Sequence, residues 1–270
     1  METSYRPLRD YGTIAAVDVP LFAHKFAAID GSTQKLANRF VKLAESLILV
    51  EGLEKVFWVL DGSKNVLKAE EHAQRAVKKK KFEEKKREKQ ETMFQVVLEE
   101  QSSLKLWPTS EDYELIEQAV IQRFGSTSMI FLKATFEAEA KCAALCRRGE
   151  AHMVLTEDTD AIAMLAKKTI LKYNPGISHV CVNLDDILIS LEMTPRQFQA
   201  FCCLCGNDFV PRLPGLGPNT LLKLKSYWSG FTIEPLYEKL DSSKSSEIEV
   251  HKSKWPASWT FFETCGSELV

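Results

Sequence analysis

Seven carboxylates stand where strands should end or in acid-x-acid pairs: Asp18, Asp61, Glu137, Glu139, Asp158, Asp160 and Asp208. Taken singly, each reads as a loop or helix N-cap residue, and Glu137 with Glu139 as an ordinary acidic helix start. Taken together, they repel one another unless cations hold them. Hard oxygen donors without convergent His or Cys favour Mg2+ or Mn2+ over zinc. The chemistry that suits such a set is phosphodiester hydrolysis with two ions about 4 Å apart, one activating water and the other stabilising the leaving 3′-oxygen. No Ser/His/Asp arrangement is evident.

The elements that must position these acids follow from hydrophobic patterning. Residues 13–19 and Lys55–Leu60 read as buried strands, each delivering an acid, Asp18 and Asp61. Residues 36–51 and 137–148 read as helices. Residues 130–132, 153–156 and 179–182 read as a third, fourth and fifth strand. Strands alternating with helices mean an α/β fold with a mainly parallel central sheet flanked by helices. In such sheets ligands bind beyond the carboxyl ends of the strands, where the acids are expected.

A chain of 270 residues, 45% hydrophobic, supports one sizeable core. We expect a single domain: an N-terminal part to residue 67, a basic segment over 68–100, an internal part to 230, and a short tail. Residues 242–246 read as a flexible loop, and the tail beyond them bears Trp and Phe. The formal net charge of −2 argues weakly against a nucleic-acid partner. The charge distribution argues the other way. Lys68, Arg75, Lys78, Lys79, Lys80 and Lys81 begin a basic run without Gly or Pro, made of good helix formers. It fits a solvated helix laced by Glu–Lys pairs, a nuclear-localisation run, or a phosphate-binding face.

Seven cysteines and a start without an apolar signal core predict a reduced intracellular protein in the nucleus or cytoplasm, with no membrane span. Cys202 with Cys205 and Cys142 with Cys146 fall in apolar helical stretches and read as buried free thiols rather than a zinc site.

The ordered motifs Val-Asp18, Leu-Asp-Gly62, Glu-Ala-Glu-Ala140, Thr-Glu-Asp-Thr-Asp160, Gly-Asn-Asp208 and Leu-Pro-Gly-Leu-Gly-Pro-Asn-Thr220 resemble those of the flap endonuclease/XPG family. The resemblance runs from about residue 18 to 224. It implies a PIN-like nuclease fold with a helical arch over 68–100 and a helix–two-turn–helix element near 213–225. It implies two Mg2+ ions, with Mn2+ able to substitute, and K+ at the hairpin carbonyls. Asp18, Asp61, Glu137 and Glu139 match the acids of the first ion, and Asp158, Asp160 and Asp208 those of the second, with Glu139 between them. Lys68 and Arg75 match the basic residues that stabilise the scissile phosphate. The resemblance places DNA contacts at Lys68, Arg75, Lys78, Lys79, Glu137, Gly206, Asp208, Gly215 and Gly217.

The activity so implied is a structure-specific DNA endonuclease acting on flaps or branches in replication, repair or recombination, as a monomer. A viral-type RNA endonuclease and a non-cutting junction-binding protein are the alternatives. Three features depart from the family pattern. The chain begins Met-Glu-Thr in place of Met-Gly. His24 stands where an aromatic often stacks on a base. Asn219 and Thr220 replace basic residues, leaving Lys223 and Lys225 to substitute. Residues 259–262 lack the glutamine and aliphatic residue of a sliding-clamp motif, which argues against clamp binding.

Overall fold

The computed structural model describes residues 5–29, 32–63, 107–207, 210–213, 215–228, 233–240 and 245–264. The expected arch over 68–100, with Lys68, Arg75, Lys78 and Lys79, lies outside the described residues, as does Asp208.

Six strands form one sheet: β1 (Ile14–Asp18), β2 (Lys55–Leu60), β3 (Met129–Lys133), β4 (Met153–Leu155), β5 (Lys168–Asn174) and β6 (Ser178–Asn183). Their order is β3-β2-β1-β4-β5-β6. The first five are mutually parallel, and β6 runs antiparallel against β5. Strand alternation sorts the side chains into two cores. Ala15, Val17, Val56, Trp58, Met153 and Leu155 pack on one face. Ala16, Val59 and Val154 pack on the other. Burial on both faces is what a parallel sheet covered by crossover helices requires.

Helices α1 (Val19–Ala27), α2 (Thr33–Glu45) and α3 (Ser110–Phe124) cover the first face through Phe22, Phe40 and Ile116. The second face carries α4 (Ala138–Arg148), the short α5 (Asp160–Ala163), α6 (Leu184–Leu191), α7 (Pro195–Leu204), α8 (Pro218–Lys223), α9 (Glu234–Tyr237) and α10 (Ser245–Thr264).

Three sequence expectations change. Residues 36–51 are not one α-helix: α2 ends at Glu45 and continues as a π turn over Ser46–Val50. There the Ser46 hydroxyl pairs with the Tyr173 hydroxyl at 3.1 Å. The fully buried Glu51 follows, accepting from Leu8 N–H at 3.0 Å, the Tyr173 hydroxyl at 3.0 Å, Gly176 N–H at 3.2 Å and the Tyr5 hydroxyl. Four donors offset the cost of burying that carboxylate. Residues 179–182 belong to a sixth strand, because Lys168–Asn174 is an unforeseen fifth. Its period-two pattern breaks where Lys172 takes φ 51° and the register shifts between Leu171 and Asn174.

The third change is at the loop expected over 242–246, for residues 245–264 form a 20-residue helix that takes in its last two positions. Ile248, Trp255 and Phe262 are buried in the second core. Gln199 on α7 donates to the Phe262 carbonyl at 3.0 Å. Along α10, His251 stacks on Trp255 and Trp255 on Trp259, each pair at 5.7 Å. His251 Nδ1 is 2.8 Å from the Tyr237 hydroxyl.

Burial pushes the His251 imidazole down to about 4. Its folded value thus lies below the unfolded one of about 6.5. The folded state binds fewer protons, so stability is whole above pH 6.5 and is lost as pH falls toward 4. His251→Gln should therefore lose less stability than the wild type between pH 7 and 5, by on the order of 1 kcal/mol in urea unfolding. Equal losses in both proteins would contradict this account.

Candidate metal centre

The strand order reverses at β1, which has β2 on one side and β4 on the other. The crevice beyond the carboxyl ends of these strands is the usual ligand site of a doubly wound sheet. Asp18 ends β1, Asp61 follows β2, and Asp158 and Asp160 follow β4.

Two carboxylate triads form there. Asp61, Glu137 and Glu139 bring ligand oxygens within 4.8 Å of one another, and so do Glu139, Asp158 and Asp160. Glu139, nearly buried on the first turn of α4, belongs to both. The α4 N-terminus is capped from outside its own segment: Asp61 Oδ1 accepts the Ala138 N–H at 2.9 Å. That bond and the positive helix end stabilise a carboxylate set among other carboxylates. On the other side, Asp158 Oδ1 accepts the Asp160 N–H at 2.9 Å. An exposed ion pair from Lys25 to Glu157 links α1 to the loop bearing Asp158.

Asp18 stands outside both triads. Its Oδ1 caps α1 by accepting from Leu21 N–H at 3.3 Å, and its Oδ2 accepts from the Thr156 hydroxyl at 2.9 Å. Burial pushes its carboxyl up to about 7. The two hydrogen bonds pull it down, and the charges of Asp61 and Asp158, one from each triad, push it up again. The charges of Asp61 and Asp158 that add to this rise are ones that a cation would neutralise. The donor set is all hard oxygen, so the residues present fit a divalent ion of the Mg2+ type.

Several residues to which the sequence reading gave no role of their own shape the site. Tyr113, on α3, lines a cavity of about 320 Å3 with Pro20, Asp61, Gly62, Glu117 and Lys133. Its phenol is pushed well above the usual tyrosine range by burial and then by the charges of Asp61 and Asp18. Gly62 packs against the chain before α4, with its N–H on the Phe136 carbonyl at 2.8 Å. A Cβ there would lie 2.0 Å from the Ala134 carbonyl oxygen. Thr156 is buried between Asp18 and Asp158. Tyr113 had no sequence signal, since an α3 tyrosine reads as ordinary core.

The other expected contacts are placed as follows. Gly206 has φ +88°, and a Cβ would lie 2.8 Å from the Arg212 backbone nitrogen. The loop beyond it is closed by Asn207, whose N–H and Oδ1 both pair with Val210 at 3.0 Å. Gly215 has φ +79°, and Gly217 is the N-cap of α8. Lys225 is half-buried and donates to the Glu192 carbonyl at 2.6 Å at the end of α6. His24 is exposed and meets Trp107 edge-on at 5.4 Å.

The family model for the XPG I-region matches residues 128–208, which span β3, α4, β4 and the loop after α7. Flap endonuclease 1-2 of Paramecium tetraurelia is 29% identical over 235 residues, covering 85% of this chain and 59% of that protein. Flap endonuclease 1-1 of the same organism is 31% identical over 190 residues, covering 70% of this chain and 46% of that protein. The chain belongs to the flap endonuclease/XPG nuclease family. It spans about half to three-fifths of the length of these family members. The family fold is also found in the catalytic core of Rad2 solved with a DNA substrate. That core superposes with a TM-score of 0.61 at 19% identity, over 93% of this chain and 78% of the core.

Gly62 is the residue whose replacement tests this geometry without touching a carboxylate. Gly62→Ala must push apart the Asp61 loop and the segment before α4, so it should cost at least about 2 kcal/mol in denaturant unfolding. A variant as stable as the wild type would contradict the close approach.

Proposed function

We propose that this protein is a divalent-metal-dependent, structure-specific endonuclease that hydrolyses phosphodiester bonds in flapped or branched DNA. The observation that carries the reading is the pair of carboxylate triads sharing Glu139 at the switch point of this family's sheet. Asp61, Glu137 and Glu139 would hold one ion and Glu139, Asp158 and Asp160 a second, with Asp208 supplementing the latter and Asp18 adding charge from behind. Mg2+ fits the oxygen donors best, and Mn2+ can take its place. When bound, the ions supply an activated water and charge neutralisation at the phosphate.

The protein's own part is to orient and to discriminate. Asp61, tied to the α4 N-terminus, and Asp158, tied to Thr156 and Asp160, are held before substrate arrives. Preorganised charge of this kind costs no reorganisation during reaction. Lys68 and Arg75, seven and fourteen residues beyond Asp61, would add positive charge at the scissile phosphate. Lys78 and Lys79 would guide the strand, with affinity falling as salt rises. Gly215 and Gly217 shape the turn before α8, where backbone can approach a duplex phosphate and K+ can sit on carbonyls. We assign a monomer acting in the nucleus, without a sliding-clamp partner.

The test is cleavage of a 5′-labelled DNA flap in Mg2+ and in EDTA, beside nick, bubble and matched RNA substrates. Cutting at the flap junction in Mg2+ alone is expected. Asp158→Ala should lower the rate about a thousandfold, near 4 kcal/mol of transition-state stabilisation, while retaining flap binding. Cleavage of RNA alone would replace the proposal with a ribonuclease, and undiminished cutting by Asp158→Ala would overturn the metal assignment.

A further inference from the structure

Thr156 is a buried residue whose hydroxyl lies between carboxylates, and its effect on the second ion site goes beyond the tie to Asp158 noted above. It follows β4 directly, and the pairing of Val17 with Leu155 in the parallel register sets it beside Asp18, one residue further along. Its Oγ1 donates to Asp18 Oδ2 at 2.9 Å and accepts the Asp158 N–H at 3.1 Å. Its own N–H donates to the Ile170 carbonyl at 3.2 Å, fixing the backbone to β5.

A hydroxyl has one proton to give. That proton goes to Asp18 Oδ2, and a lone pair remains for the Asp158 amide. The β-branched side chain restricts χ1, which holds both bonds in one rotamer. From Asp158 the chain of bonds continues through Oδ1 to the Asp160 N–H. Asp18, Thr156, Asp158 and Asp160 are thus linked in sequence, from the centre of the sheet into the second triad.

We propose that Thr156 is a positioning residue for the second ion site: it fixes the turn that presents Asp158 and Asp160, using Asp18 as its anchor. This rests on the metal-dependent reading of the site. Partners that orient ligating carboxylates are commonly worth tenfold or more in metal affinity. On this account Asp18 holds Thr156 through Oδ2 as well as adding charge behind the triads.

The experiment is Mn2+ binding to the DNA-free protein, followed by calorimetry and by the electron paramagnetic resonance signal of free Mn2+. Thr156→Val removes the hydroxyl with little change of shape, and Thr156→Ser restores it. The wild type should bind two ions. Thr156→Val should weaken one of them at least about tenfold and leave the other within about threefold, while Thr156→Ser binds both as the wild type does. In flap cleavage the Val variant should lose kcat with KM nearly unchanged. Circular dichroism at the assay temperature checks folding, and Thr156→Ala replaces the Val variant if that one unfolds. Unchanged binding in a folded Thr156→Val, or equal weakening of both ions, would overturn the role of Thr156 while leaving the metal site standing. A wild type that binds no Mn2+ would overturn the metal-site reading and this proposal with it.

Discussion

Mutual repulsion among carboxylates is the constraint around which this structure is organised. Asp61, Glu137, Glu139, Asp158 and Asp160 meet within one crevice, and Asp18 lies buried behind them. Left alone, such a cluster would splay or take up protons; the Asp18 carboxyl is raised first by its burial and further by the charges of Asp61 and Asp158. The fold offsets it with directed donors: the Ala138 amide on Asp61, the Leu21 amide and Thr156 hydroxyl on Asp18, and the Asp160 amide on Asp158. What remains uncompensated is negative charge facing the crevice. Divalent cations are the complement that such oxygen sets take.

The sheet explains why these acids meet at all. Parallel strands end on the same edge, and the order reversal at β1 opens a gap between the chains leaving β1 and β4. Helix α4 then starts over that edge, bringing Glu137 and Glu139 in from a different segment. Its entry path is set by Gly62, where the two chains touch backbone to backbone. The long helix α10 stands far from the acids in sequence, yet it completes the core under α7. β1, β2, β4 and α4 thus supply both the acidic edge and part of the core, and α10 adds to the core alone.

Much of this was legible in the sequence. Strands such as Lys55–Leu60 announce themselves by branched and aromatic runs, and the acids that follow them need only the parallel-sheet rule to converge. The sharing of Glu139 was implied by the family resemblance, and both triads include that residue. Other features were not legible, for physical reasons. The strand Lys168–Asn174 hides behind a bulge and a left-handed Lys172. The tail helix hides because Pro256 and scattered aromatics do not show a clean helical period. Pairings across 138 residues, such as Thr156 with Asp18, leave no local trace, since a threonine after a strand is unremarkable until its neighbour is known. Nor did the sequence show that Lys225 donates to the carbonyl ending another helix.

The central claim is that two divalent ions bind side by side with Glu139 between them. Anomalous diffraction from crystals soaked in Mn2+ tests it most directly. The account predicts two anomalous peaks roughly 4 Å apart, one coordinated by Asp61, Glu137 or Glu139 and the other by Asp158 or Asp160. A single peak elsewhere in the molecule, or none at this crevice in crystals that hold Mn2+ at other sites, would contradict it.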